Sequence, residues 1–229
     1  MRLIYLLTIN ALMINALVLT ACASTDDDGD GDGTGDDDGA CLAEASYGAV
    51  ASATMRSAFS FGPTTIEAAD EVYLLVDLNS DQRPDALLLE LYQVNGGVFA
   101  DGIMPGTYEI AGAELQYSDC SVCPRIFTDL DRTVTPAAPT DEGYLATGGT
   151  VQLDSISPNL SGSLSGVTFE HVDVDATTFV SSPHPDGCIS AIDSLEFEVE
   201  NVFTQETESG VSAAFRPAVT RASGAAPTR

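Results

Sequence analysis

Residues 195–200 read Leu-Glu-Phe-Glu-Val-Glu, an apolar–acidic alternation with a period of two. Successive side chains of an extended strand point to opposite faces. Leu195, Phe197 and Val199 therefore face one way, and Glu196, Glu198 and Glu200 the other. Such a strand has one face in a core and one in water, so the glutamates are read as a solvated face. Other stretches carry the same kind of signal. "EVYLLVD" (71–77) and "DALLLELY" (85–92) are short apolar runs bounded by turn residues and read as core strands. Asn95-Gly96 in "QVNGGVF" suits the positive φ of a hairpin turn, and the Pro-Gly of "MPGTYEIAG" a turn into another strand. Residues 143–157 and 160–172 read as a pair joined through "SPN". Segment 43–60 is ambiguous between strand and short helix. The expectation is an all-β domain over residues 41–205: a β-sandwich or open barrel of about eight short antiparallel strands.

Charge narrows the function. The chain has 35 acidic and 8 basic residues, a formal net charge of −27, and every basic residue is Arg. Nucleic acid and anionic lipid faces are repelled by such a surface. With no Lys, lysine Schiff-base and phosphate-binding chemistry is excluded. There is no Trp and the Tyr residues are scattered, so an aromatic platform for sugars is not evident.

The N-terminus speaks to location. Arg2 precedes an uncharged run from Leu3 to Ala21, which reads as an export signal over residues 1–21. It ends in Leu19-Thr20-Ala21-Cys22, which resembles the lipobox of bacterial lipoproteins. The resemblance implies cleavage before Cys22 and acylation (palmitate among the chains) of its sulfur and amino group. Each buried lipid methylene contributes about 0.8 kcal/mol, and two or more chains hold a protein stably on a bilayer. Ala23 stands where inner-membrane retention uses Asp, which by the family's rule implies the outer membrane. Residues 22–40 then form the anchor and a tether with eight Asp and five Gly, too polar to fold alone. Its eighteen residues after Cys22 reach at most roughly 60 Å. The tether, together with "LYQVNGGVFADGIMPGTYEI", "YSDCSVC", "YLATGGTVQL", "VTFEHVDVDATTF" and "DGCISAIDSLEF", resembles function-unassigned surface lipoproteins of myxobacterium-like bacteria; no activity comes with that resemblance. Residues 206–229 read as a loose tail, with a short strand near Val211–Phe215 as its one candidate element.

Four cysteines follow Cys22, and an even number in an exported chain reads as two bridges with three possible pairings. The preferred set is Cys41–Cys188, tying the domain's two ends, and Cys120–Cys123, closing a local loop. A competing reading is a zinc set of Cys120, Cys123, His184 and Cys188.

The most specific ligand pattern is Asp77, Asn79, Asp81 and Asp85 in "DLNSDQRPD". Oxygens at loop positions 1, 3, 5 and 9 suit calcium, and the segment resembles the calcium loops of integrin-like β-propeller blades. Gln82 stands where the tight turn takes Gly, and Leu88 where a bidentate Glu would be. The plainer reading is a polar hairpin tip. His171 shares strand parity with Asp173 and Asp175, but also with Val167 and Phe169. It reads first as a histidine at the wet end of a core face, hydrogen-bonded by a nearby carboxylate. His184, in a Pro-rich loop, reads as exposed. "GSLSG" has Leu164 where a nucleophile elbow has Ser. The expected function is a non-catalytic, membrane-anchored structural or interaction module, meeting the bilayer through acylated Cys22 and a protein or glycan of undefined identity. Alternatives are a calcium-stabilised adhesion domain and a secreted hydrolase or metal enzyme built on His171.

Overall fold

The computed structural model describes residues 41–51, 56–62, 64–94, 96–131, 138–139 and 143–205. The signal segment, Cys22, the tether and the 206–229 tail lie outside the described residues. Within them, no helix is long and apolar enough to cross a membrane, and the domain is all-β, as expected. The strands are β1 (Ala49–Val50), β2 (Arg56–Gly62), β3 (Glu71–Asp77), β4 (Ala86–Tyr92), β5 (Gly106–Glu109), β6 (Val122–Phe127), β7 (Leu130–Asp131), β8 (Ala138–Pro139), β9 (Gly143–Ser155), β10 (Asn159–Val174), β11 (Ser181–Pro183) and β12 (Ile189–Gln205).

Their hydrogen-bonded pairings run β12–β2–β3–β4–β6–β9–β10 and return to β12, a ring of seven. All these pairs are antiparallel except β12–β2, where Asn201–Gln205 lies parallel to Ala58–Gly62. The exception is required by counting. Strands that alternate in direction cannot close around an odd-membered ring, so one neighbouring pair must be parallel. The antiparallel expectation is corrected at that seam, and again at β1, which pairs parallel to β12 through Ala49–Ser194 and Val50–Leu195.

Strand alternation fills the ring. On β3, Val72, Leu74 and Val76 are fully buried while their neighbours are half-exposed. Leu87, Leu89 and Leu91 of β4, Val151 and Leu153 of β9, Val167 and Phe169 of β10, and Leu195 and Phe197 of β12 join them in the interior cluster. Glu196, Glu198 and Glu200 lie on the exposed face. β9 and β10 form the expected hairpin, with register shifts between Ser165 and Phe169. Gly149 sits opposite that irregularity at φ +108, and a Cβ there would lie 2.6 Å from Val167 Cα, so only glycine lets the strands approach.

β4 departs from simple alternation because both its faces are buried. Its outer face packs under residues 112–121, where Tyr117, Cys120 and Cys123 meet Tyr92 and Leu145 in a second cluster. Glu114 holds this cover down by accepting the backbone N–H groups of Ser121 (2.8 Å) and Val122 (2.6 Å). Gln116 and Tyr117 bond Ser181 of β11. The hairpin expected at Asn95-Gly96 does not form: β4 pairs with β3 and β6, and β5 pairs with β9. Asn95 itself lies outside the described residues. Gly96 has the positive φ expected (+83), but the chain runs on to Gly102 through successive turns without pairing back on β4. These turns are closed by Gly97 N–H on Val94 O, Ala100 N–H on Gly97 O and Gly102 N–H on Phe99 O.

Candidate functional site

One end of the barrel, where β3, β6 and β10 finish and β4, β9 and β12 begin, gathers most of the side chains singled out in the sequence. The leading segment is fastened there. Cys41 is bridged to Cys188 across 147 positions, Ser190 Oγ donates to Glu44 O (2.7 Å), and Tyr47 N–H donates to Ala191 O (2.9 Å). Closing so long a loop removes chain entropy from the unfolded state, a stabilisation of about 5 kcal/mol. Cys120 and Cys123 form the second bridge. Both preferred pairings are present, and with every one of these thiols consumed the Cys₃His zinc set does not exist.

The 77–85 turn is a hydrogen-bonded knot. Asp85 is buried, and its Oδ2 accepts the Tyr47 hydroxyl (2.7 Å) and Asn79 Nδ2 (3.2 Å) while Oδ1 accepts Asp129 N–H (3.1 Å). Asn79 Oδ1 in return accepts Asp85 N–H (3.1 Å). Leu78 N–H bonds Asp85 O and Leu130 N–H bonds Pro84 O, tying the turn to β7. Asp129 reaches its place at φ 49, a left-handed conformation that Asp tolerates better than most residues. Burial pushes the Asp85 carboxyl above its usual range, against the pull of the Tyr47 and Asp129 hydrogen bonds. Of the four expected calcium ligands, the fold thus brings Asn79 and Asp85 together. Asp77 ends β3 half-buried, and Asp81 sits on the exposed turn.

The two histidines of the chain meet a short way off. His171 is 7 % exposed at the end of the β10 core row, its ring stacked on Tyr144 (centroids 5.2 Å) and on His184 (4.2 Å). Its Nδ1 lies 2.5 Å from Asp186 Oδ2. His184 Nδ1 is 3.1 Å from Asp173 Oδ1. The expected carboxylate partner of His171 is therefore real in kind but comes from the 184–188 loop, not from its own strand. Asp173 serves the other histidine, and Asp175 turns away to accept Thr177 and Thr178 N–H groups. His184 is half-exposed and stacked, a correction to its reading as a merely exposed loop residue.

The loop that delivers His184 and Asp186 is held at three points. His184 N–H donates to His171 O, His171 N–H donates to Cys188 O (both 2.9 Å), and Cys188 is in the long disulfide. Gly187 takes φ +68 to complete the turn, and Asp186 Oδ1 accepts Cys188 N–H (3.0 Å). Burial acts to raise the Asp186 carboxyl, but the Cys188 N–H and His171 outweigh it and hold the group below its ordinary value. Among the described residues, His171, His184 and Asp186 are the one set of three His, Cys, Asp or Glu side chains whose ligand atoms all lie within 4.8 Å of one another. Asp186 was missed in the sequence. Its signal was the His-x-Asp-Gly-Cys spacing, a turn with two ligand types ending on a bridged cysteine.

A second buried polar group sits under the outer cover. The Arg125 guanidinium lies between the rings of Tyr117 (4.4 Å) and Phe127 (4.5 Å), with Glu90 Oε2 3.9 Å away. Glu90 Oε1 accepts the hydroxyls of Tyr92 (2.8 Å) and Tyr117 (3.3 Å). Burial, then Glu90, pushes the Tyr92 phenol up. Both charges are at least 95 % buried, so the pair cannot reach solvent partners and acts as part of the core.

No protein-family model, no curated protein and no solved structure matches the chain.

Proposed function

We propose that this protein is an exported lipoprotein whose β-barrel domain stands off a bilayer as a non-catalytic structural or interaction module. The observation that carries this reading is the pair of disulfides: both bridges close within one domain, and such bonds persist in oxidising compartments outside the cytosol. The lipobox-like Leu19-Thr20-Ala21-Cys22 supplies the anchor, and the aspartate- and glycine-rich stretch after it supplies reach. Ala23 favours the outer membrane as the destination. The strongly acidic surface directs the module away from nucleic acid and anionic lipid and toward basic or neutral partners. The non-catalytic reading draws support from the polar groups at the barrel end. Asp85 and Asn79 bond each other and their surroundings, and Asp175 caps a turn.

The test is metabolic labelling with a palmitate analogue in a bacterial host, followed by membrane fractionation. The expected result is label on the wild-type chain, loss of label in Cys22→Ser, and release of that variant from the outer-membrane fraction. Unlabelled wild-type protein in the soluble fraction would overturn the anchor.

A further inference from the structure

We propose that His171, His184 and Asp186 form a binding site for one divalent transition-metal ion of zinc's class. The chain has only two histidines, and the fold brings both to one point with three-fold fastening of the loop that carries the second. A core histidine in need of a hydrogen bond requires one carboxylate. Here two rings stack, the carboxylate at His171 Nδ1 is the ligand Asp186 itself, and His184 has a second one, Asp173, on its Nδ1. That is the arrangement of metal-ligating imidazoles, in which one ring nitrogen is oriented by a carboxylate or carbonyl so that the other is directed at the ion. Asp173 does this for His184.

The donor set selects the ion. Two imidazoles and a carboxylate suit zinc and its neighbours, while calcium and magnesium take oxygen alone. Thiolate chemistry is closed off, since Cys188 is bridged to Cys41. A tetrahedral ion with bonds of about 2.0–2.1 Å separates its ligand atoms by roughly 3.4 Å. The three ligand atoms lie within 4.8 Å of one another. His171 Nδ1 and Asp186 Oδ2, 2.5 Å apart across a shared proton, move apart as the ion replaces that proton, and His184 closes on the ion from its half-exposed position. Tyr144 and His184 both stack on the His171 ring, so the ion is met at the ring edge that carries Nδ1, and three protein ligands leave a coordination position open. The site adds a ligand to the proposed anchored module without depending on the anchor.

The test uses the full chain as exported, purified in detergent, stripped with a chelator and titrated with zinc. Millimolar calcium is kept present to occupy the aspartates of residues 26–38. One equivalent of saturable zinc is expected, with a melting temperature raised by about 5–10 °C at one hundred times the dissociation constant. His184→Ala, at a half-exposed position, should fold and lose both effects. Asp173→Ala should weaken binding by about 10–100-fold, and Asp175→Ala should leave it unchanged. Cobalt(II) in place of zinc should give the visible absorption of a low-coordinate nitrogen–oxygen site in the wild type and in Asp175→Ala, and none in His184→Ala. No saturable equivalent below 100 μM, a value set at roughly the upper end of useful affinity, would overturn the site. So would a His184→Ala chain that binds zinc as the wild type does.

Discussion

The 77–85 turn and the 171–188 cluster lie at the same end of the barrel and contrast in what they offer. The first has the ligand spacing that a sequence reader notices, yet its key carboxylate, Asp85, accepts three protein hydrogen bonds and braces Tyr47, Asn79 and Asp129. The second divides its residues between β10 and the loop after it, with only the short His-x-Asp spacing to mark it, yet it stacks two imidazoles with a carboxylate on each. Residue types in a pattern describe only what a loop is able to present. What remains for a ligand depends on how many of those atoms the fold has already used. In the turn, oxygens satisfy the turn's own donors, whereas in the cluster Asp173 orients His184, and His171 and Asp186 share a hydrogen bond that the proposed ion would replace.

The sharpest way to separate the two regions is to cut the long disulfide. Cys41→Ser with Cys188→Ser should lower stability by about 5 kcal/mol in denaturant unfolding. Hydrogen exchange should show faster opening at His184 and Gly187 than at Leu78 and Leu130. Equal loosening of both sets of amides would mean that the end of the barrel opens as one unit and that the contrast fails. Next in size, Asp85→Ala leaves the Tyr47 hydroxyl and the Asp129 N–H without their acceptor. A loss of about 3 kcal/mol is expected, roughly 6–12 °C of melting temperature. Asp85→Asn keeps one acceptor oxygen but sets an NH2 against the donors of the other, and should recover only part of it.

A pH series makes a finer cut. The folded-state pKa of Asp85 is raised, by burial first, so the native state holds that proton more tightly than the unfolded chain does. Its contribution to stability is then present below the unfolded pKa, near 4, and is lost as pH rises through the folded value. The stability difference between wild type and Asp85→Asn should fall with rising pH across that window. A difference that rises would mean the three hydrogen bonds outweigh desolvation. The smallest expected effect is that of calcium on the turn, less than about 1 °C between saturating calcium and chelator, because a filled site would give roughly 5–10 °C. A shift of the larger size that disappears in Asp81→Ala would make the turn a calcium site after all and reverse the comparison.

Much of the architecture was legible from local pattern. β3 and β4 match the two apolar runs, β9 and β10 the pair joined through "SPN", and the alternation at 195–200 lies within β12. The cysteine pairing was also legible, because Cys41 and Cys188 stand at the two ends of a domain whose ends a barrel brings together. The turn at Gly96 was read correctly as a turn and wrongly as a hairpin. A positive φ reverses the chain locally but does not choose which strand lies alongside next. Sequence alone read residues 85–92 as a core strand, as they are, but did not show what covers the outer face, because Arg125 and the 112–121 segment that enclose Glu90 come from elsewhere in the chain.

By itself, then, the sequence determined where strands run, which faces are apolar and which cysteines are available to bridge. Each of these follows from chemistry within a few residues or from a count. Only the tertiary structure decided that the strands close into an odd ring with one parallel seam, that Asp85 is consumed by its neighbours, and that Asp186 rather than Asp173 faces His171. Those outcomes depend on contacts between residues up to well over a hundred positions apart, whose partners are chosen by packing and by which buried donors need an acceptor. No periodicity along the chain records that choice.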